Sequence, residues 1–281
     1  MQGISYIIST HNRPGLVNTA ICSVIEESRN VPGINTELII VDDNSDCAFT
    51  PNKNDLPEYK GTISIVRTTK TMGVSKARNL GLENAAHPYI LFLDDDDTSF
   101  PDRSKALYPL IQNSGYSFIT GKSVMRSGKN TLIIPEGDSA ALTPHVYLNS
   151  FPHINSVIWR KNDLLKAGGM DEALPYFGEH LAALKLLLNG YTAFHTPETV
   201  SAFEYQDGGL TLESHQNNRF HDNSVALFTT LLNYSLHHPA FRNTCMNVLK
   251  MMAVNKLQNF NDLIKLLSAN QKSDCAEVLP L

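Results

Sequence analysis

One segment, residues Tyr89–Asp97, constrains the fold of this chain more than any other. It reads Tyr-Ile-Leu-Phe-Leu and then four consecutive aspartates. The apolar run has the length and composition of a buried strand. Four adjacent carboxylates repel one another, so the cluster is either an acidic turn in solvent or a site where a cation neutralises it. Carboxylate oxygens are ligands that suit Mg²⁺ or Mn²⁺.

Short apolar runs alternate with helical patterns along the first 115 residues. The predicted strands cover residues 4–9, 37–41, 63–66 and 89–93, and the predicted helices cover 16–27, 74–86 and 102–112. This alternation predicts βαβ units and a parallel sheet, which is the α/β class. Uninterrupted apolar strands are typical of a sheet that is covered on both faces.

Polar clusters directly follow three of these predicted strands, namely Thr10–Arg13, Asp42–Ser45 and Asp94–Asp97. The carboxyl ends of parallel strands lie along one edge of a sheet, and ligands bind beyond that edge in open α/β sheets. The sequence therefore predicts one site that all three clusters build. The histidines after residue 140 apart from His180, with His153 among them, are not spaced like metal ligands.

Composition narrows the partners and the compartment. The apolar fraction of 42% and the charged fraction of 18% fit a globular protein rather than a disordered one. A net charge of −5 gives no reason to expect nucleic acid as a partner. No apolar run approaches the ~18 residues of a membrane span, and no signal peptide is evident. The four cysteines are far apart and suit a reducing compartment. We expect a cytoplasmic enzyme, for which peripheral contact with a membrane and the oligomeric state stay open.

Four motifs in order resemble the inverting nucleotide-sugar glycosyltransferases of family two, which have the GT-A fold. The motifs are Ile7–Pro14, Ile39–Ser45, Gly73–Gly81 and Ile90–Asp97, with a weaker match at Ala167–Glu172 followed by Gly178-Glu179. The resemblance implies a Rossmann-like, mostly parallel central sheet flanked by helices, with a helical C-terminal extension.

The resemblance also implies a division of the chain. Residues 1–210 would form the catalytic domain, with a nucleotide-sugar-binding half at 1–115 and an acceptor-side half at 116–210. Residues 211–281 would form the helical extension. Gln206–Gly209 and His215 fall where some relatives have a donor-binding loop.

The family motifs imply roles for residues that would hold the donor. Ser9, Thr10 and Asn12 would contact the nucleobase, and Asp43 would accept the base N–H. A turn-forming role is the alternative for Asp43, since aspartate is common in turns.

Two basic residues occupy the first turns of the predicted helix after Gly73. Backbone N–H groups and the helix dipole favour an anion there. Arg78 would meet the diphosphate or an acid of the cluster. Lys76 would help to bind the donor, or would lie on a solvated helix face.

The acidic run aligns with the family's DxD pattern in two ways. We prefer Asp96 as the metal ligand, with Asp94 or Asp95 on the ribose, and Asp97 as a cap or as a residue that orients Asp96. The implied cofactor is Mn²⁺ or Mg²⁺, which would bridge the two phosphates and stabilise charge on the departing nucleoside diphosphate.

The catalytic base of the family is a carboxylate at the start of a late helix, commonly in a Glu-Asp pair. This chain departs from that pattern, because it reads Gly178-Glu179-His180. Counting back from Lys185 places the base at Glu179, and counting forward from Gly178 places it at His180. Either side chain can accept a proton near neutral pH, and we favour Glu179.

The implied reaction moves a sugar from a nucleotide-sugar donor, with UDP preferred, to an acceptor hydroxyl with inversion. The acceptor would belong to a glycan or to a polysaccharide or lipid-linked precursor. The altered pair Glu179-His180 leaves open a module that binds nucleotide without turnover. A sugar-nucleotide nucleotidyltransferase is a weaker alternative, because it would have a glycine-rich loop where this chain has Thr10–Pro14.

Overall fold

A computed structural model describes residues 2–51, 56–127, 130–134, 138–174, 176–204 and 219–254, with residues 257, 262–263 and 266–267. The strands are β1 Gly3–Thr10, β2 Asn35–Asp42, β3 Thr62–Arg67, β4 Tyr89–Asp94, β5 Thr98–Ser99, β6 Phe118–Ser127, β7 Asn130–Ile134, β8 Ala140–Ala141, β9 Val157–Arg160 and β10 Ala193–Glu204. The helices are α1 Pro14–Ser28, α2 Val74–Asn84, α3 Arg103–Gln112, α4 Pro144–Ser150, α5 Lys161–Lys166, α6 Gly178–Leu188, α7 Arg219–Tyr234 and α8 Pro239–Val254, and a 3-10 turn at Ile154–Ser156 precedes β9.

The described strands form one sheet in the order β3-β2-β1-β4-β9-β6-β10-β5, with β7 beside β6 and β8 beside β10. Strands β3, β2, β1 and β4 run parallel to one another. Strand β9 runs antiparallel to both β4 and β6. The predicted α/β fold with a central sheet flanked by helices is confirmed, and the longest pairings of the sheet, β1–β2, β1–β4, β2–β3 and β6–β10, are parallel.

Alternating side chains of the central strands face two separate hydrophobic cores. In β1, for example, Tyr6 and Ile8 pack toward α1 and α3, whereas Ile7 packs toward α2 and α6. All three are essentially buried. Since both faces are covered, continuous apolar strands are the expected sequence signature, and this explains why they could be recognised in the sequence.

Helix α2 lies unusually close to the sheet because of Gly81. A Cβ at this position would lie 2.4 Å from Cγ2 of Ile7 in β1 and 3.2 Å from Cγ2 of Val41 in β2. Only glycine allows this approach. The close packing holds α2, which carries Arg78 in its second turn, against β1 and β2.

The helices after β10 join the same core as the sheet. Phe220 and Leu227 of α7 and Phe241 of α8 pack in one cluster with residues of α6. The predicted boundary at 210/211, Gln206–Gly209 and His215 all lie outside the described residues, so the domain division stays a prediction. Within the described part of the chain, no helix is long and apolar enough to cross a membrane.

Candidate active site

The strand register brings the three polar clusters together. Thr10 at the end of β1 pairs with Asp42 at the end of β2, and Ser9 pairs with Asp94 at the end of β4. Strand β9 runs the opposite way, with Leu91 opposite Ile158. The turn just before β9 therefore lies beside the carboxyl end of β4, where it places residues 153–156 next to the acids.

Arg78 forms the cationic centre of the site. Its Nη2 donates to Asp94 Oδ1 at 2.5 Å, and its Nη1 lies 3.5 Å from Glu179 Oε2. Burial opposes the charge on Arg78, but Asp94 and Glu179 outweigh that effect and raise its pKa. Burial likewise works against a charged Asp94, yet Arg78 keeps the pKa of Asp94 below its ordinary value. This pairing joins α2, β4 and α6 at one point.

Three side chains of this edge form a candidate cation site. Ligand atoms of Asp94, Asp97 and His153 all lie within 4.8 Å of one another. The His153 ring stacks on Phe203, with the ring centroids 4.1 Å apart. Burial, and then the charges of Asp94 and Asp96, raise the pKa of Asp97 to about 8. Burial lowers the pKa of His153 despite the nearby acids.

This donor set fits the divalent cation that the sequence implies. Two carboxylates and an imidazole offer hard oxygen ligands and one nitrogen ligand, which suit Mn²⁺, and the carboxylates suit Mg²⁺. Burial and then the neighbouring negative charges raise the pKa of Asp97, and a cation at this point would compensate those charges. His153 carried no signal in the sequence, because only the antiparallel placement of β9 brings it to the end of β4.

The other two acids of the run are bound to Arg13. Its Nη1 lies 3.1 Å from Asp95 Oδ1 and 2.9 Å from Asp96 Oδ2. The Thr10 hydroxyl donates to Asp95 Oδ2 at 2.7 Å. Burial raises the pKa of Asp95, although Thr10 and Arg13 oppose the shift. The assignment of Asp96 to the metal stays a prediction, since its partner in this structure is Arg13.

Asp43 organises the loop that leads into α2. Its carboxylate accepts from the Thr68 hydroxyl and from the backbone N–H groups of Met72 and Gly73, at 2.8 to 3.1 Å. The buried side chain thus holds the segment in front of the Arg78 helix. Its predicted contact with the nucleobase stays a prediction, and that contact would have to share oxygens already bound by protein donors.

The remaining residues predicted to bind the donor lie nearby. The Asn12 backbone N–H donates to the Ser45 hydroxyl at 2.8 Å, which ties the end of β1 to the turn after β2. Ser9 lies in β1 opposite Asp94. Lys76 pairs with Glu172 at 3.3 Å, and both side chains are exposed. The roles of these residues toward a donor stay predictions.

The two candidates for the base have different environments. Glu179 faces Arg78, and its side chain is 18% exposed. His180 is buried among Tyr147, Phe151 and Phe177, and its Nδ1 lies 3.1 Å from the Tyr147 hydroxyl. Burial lowers the pKa of His180 to about 4. The accessible carboxylate beside the cationic centre supports Glu179, and the assignment stays a prediction.

Comparison with known proteins agrees with this arrangement. The family model described as "Glycosyl transferase family 2" matches residues 5–169, which is more than half of the chain. The chain belongs to this family. The match contains most of β1 and all of β2, α2 and β4, and it ends before α6.

Two sequence relatives show how far the similarity extends. A Haemophilus influenzae protein described as an uncharacterized glycosyltransferase is 26% identical over 189 residues, which is 66% of this chain and 62% of that protein. The Campylobacter jejuni GalNAc(5)-diNAcBac-PP-undecaprenol beta-1,3-glucosyltransferase is 30% identical over 133 residues, or 46% of this chain and 41% of that enzyme. The chain spans less than two thirds of the length of the first curated relatives it matches.

Solved structures share the fold. Staphylococcus aureus TarS 1-349 in complex with UDP-GlcNAc superposes with a TM-score of 0.67 at 17% identity, and the alignment covers 88% of this chain and 71% of that one. The mannosyltransferase PcManGT from Pyrobaculum calidifontis, in complex with GDP-Man and Mn²⁺, superposes with a TM-score of 0.62 at 15% identity. The alignment covers 99% of this chain and 76% of that one.

Proposed function

We propose that this chain transfers one sugar from a nucleoside diphosphate sugar, preferably a UDP-sugar, to an acceptor hydroxyl with inversion at the anomeric carbon. One observation carries the proposal. Acids from β4 and the following turn, a buried arginine from α2 and a carboxylate from α6 meet at the edge of the sheet where three polar clusters converge. Family membership supports the same reaction class.

Asp94, Asp97 and His153 would hold Mn²⁺ or Mg²⁺, with Asp96 as a further predicted ligand. An ion held there would supply positive charge that stabilises the departing diphosphate. The Mn²⁺ in the PcManGT complex supports a divalent ion in a protein of this fold.

The start of α2 would hold the phosphates of the donor. Arg78 is rigidly placed by Asp94 and Glu179, and the N-terminus of a helix favours an anion. Lys76 would approach the same anion after leaving Glu172. Asp43, with Ser9, Thr10 and Asn12, would hold the nucleobase and ribose at the ends of β1 and β2.

Glu179 would act as the general base. The acceptor oxygen attacks the anomeric carbon, the bond from that carbon to the diphosphate oxygen breaks, and the acceptor proton moves to a Glu179 oxygen. A single displacement of this kind inverts the anomeric carbon. Arg78 lies 3.5 Å from Glu179 and would keep it beside the donor phosphates. The acceptor would be a hydroxyl of a glycan or of a polysaccharide or lipid-linked precursor, a class supported by the name of the Campylobacter relative.

Nucleotide titration tests binding of the donor, which is the first step of the proposed reaction. We expect calorimetry with UDP, GDP, ADP, CDP and dTDP to give the tightest binding for UDP, and to give much weaker binding when EDTA replaces Mn²⁺. Absence of metal-dependent binding to all five would contradict the proposal. Binding without sugar release would identify a nucleotide-binding module, and pyrophosphate release from a nucleoside triphosphate and a sugar phosphate would identify a nucleotidyltransferase.

A further inference from the structure

Asn155 contacts every member of the candidate cation site. Its Oδ1 accepts from the Asp94 backbone N–H at 3.1 Å, and its Nδ2 donates to Asp97 Oδ2 at 2.6 Å. Its own backbone N–H points to His153 Nδ1 at 3.4 Å. The side chain is fully buried. Three different atoms of one residue thus reach the three residues whose ligand atoms converge.

Asn155 is itself fixed by a buried arginine. Arg103 Nη1 donates to the Asn155 carbonyl oxygen at 3.0 Å and to the Phe92 carbonyl oxygen at 2.9 Å. These two bonds clamp the turn before β9 against the strand that ends in Asp94. Arg103 is completely buried, so its guanidinium group cannot turn toward solvent.

The arginine is held in turn by Glu27 of α1. Nη2 of Arg103 lies 2.9 Å from Glu27 Oε2, and both side chains are fully buried. The hydroxyls of Ser99 and Ser104 also donate to Glu27. All polar atoms of this network have partners, so it forms a rigid support behind the acids.

A buried amide with both ends bonded has one favoured orientation. Reversing the Asn155 amide would set its Oδ1 against the Asp97 carboxylate and its NH₂ group against the Asp94 N–H. The contact with the Asp94 N–H would be repulsive, the contact with Asp97 would be repulsive whenever Asp97 is ionised, and the groups that lost their partners would stay buried. The amide therefore fixes the Asp97 carboxylate relative to the β4 backbone that carries Asp94.

We propose that Asn155 is a positioning residue that sets the geometry of Asp94, Asp97 and His153 for a divalent cation. This inference rests on the proposed function, because it assumes that the three side chains bind the ion of a glycosyltransferase. Residues that orient metal ligands typically change metal affinity by 10- to 100-fold when they are removed.

Two substitutions separate the contacts of the amide. Asn155→Ala removes both, and we expect it to weaken Mn²⁺ binding in the presence of UDP by roughly 10- to 100-fold. Asn155→Asp keeps the shape and the acceptor for the Asp94 N–H but loses the donor to Asp97. A matched control is Asn79→Ala, since Asn79 is bonded on both sides of its amide to the Met170 backbone, outside the cation site.

The readout is free Mn²⁺ measured by electron paramagnetic resonance at fixed UDP, with circular dichroism to verify folding. Asp97→Asn, which removes a proposed ligand, is the reference variant. Together with the double variant Asn155→Ala/Asp97→Asn it completes a double-mutant cycle. If Asn155 acts through Asp97, its removal should cost little more affinity once Asp97 is gone. Equal and independent losses would overturn the inference.

The remaining outcomes are also decisive. One such outcome is that wild type and Asn155→Ala both bind Mn²⁺ whereas Asp97→Asn does not. In that case the positioning role of Asn155 is wrong and the proposed cation site stands. If wild type binds no Mn²⁺ with UDP, the cation site fails and the inference fails with it. If neither Asn155 variant folds, Asn155 serves the fold alone and the inference is overturned.

Discussion

His180 offers a quantitative check on the structure through its effect on stability. An unfolded chain protonates this histidine near pH 6.5, whereas burial in the folded protein lowers its pKa to about 4. Between these values the unfolded state binds more protons, so acid favours unfolding. The stability that the neutral, buried His180 contributes is fully present above pH 6.5 and is lost as the pH falls toward 4.

The magnitude follows from the two pKa values. Lowering the pH from 7.5 to 5 should remove about 2 kcal/mol of unfolding free energy through His180 alone. His180→Asn removes the titrating group. We expect it to be less stable than wild type at pH 7.5, since the ring that packs on Phe151 at a centroid distance of 4.2 Å is lost. That deficit should shrink, or reverse, by about 2 kcal/mol at pH 5.

Urea unfolding at both pH values measures this change directly. His237→Asn is the control, because it makes the same replacement at an exposed histidine. A His180→Asn deficit that is the same at pH 5 and pH 7.5 would refute the reasoning. It would mean that His180 can be protonated in the folded protein, which would reopen its role as the base.

Three further substitutions probe the site and its support. Glu179→Gln should lower kcat by roughly 10²- to 10⁴-fold with little change in donor affinity, measured by initial rates and calorimetry, whereas Glu83→Gln at an exposed position of α2 should be nearly neutral. Arg103→Met should reduce the free energy of unfolding by about 3 to 5 kcal/mol in urea, because the buried Glu27 loses the positive charge that compensates it and keeps only the Ser99 and Ser104 hydroxyls. A loss below about 1 kcal/mol would contradict the buried pair. Asp43→Asn should weaken UDP binding, since it loses acceptors for the loop in front of α2 as well as any acceptor for the base, and unchanged affinity by calorimetry would remove Asp43 from donor binding.

The sheet edge could be predicted because its signals are local. Each of the strands β1, β2 and β4 is an apolar run that stops at polar residues such as Thr10, Asp42 and Asp94. Parallel pairing then places those ends together without any knowledge of side-chain contacts. The family resemblance added the identity of the motifs and the late helix.

The partners of the acids could not be predicted, because long-range topology supplies them. His153 and Asn155 reach Asp94 only because β9 inserts antiparallel beside β4, and their neighbours in the sequence show no ligand spacing. The burial of His180 likewise depends on Tyr147 from α4. Counting residues along the sequence left both Glu179 and His180 as candidates, with Glu179 favoured, whereas the packing gives them different environments.

Release of nucleoside diphosphate from a panel of nucleotide sugars tests the central claim most directly. Phosphorus NMR would follow the product with Mn²⁺ or with EDTA, for wild type and for Asp94→Asn. We predict that wild type releases UDP from at least one UDP-sugar only when Mn²⁺ is present, and that Asp94→Asn releases none. Release that persists at the wild-type rate in Asp94→Asn, or no release from any donor in the panel, would contradict the assignment of this sheet edge as the site of sugar transfer.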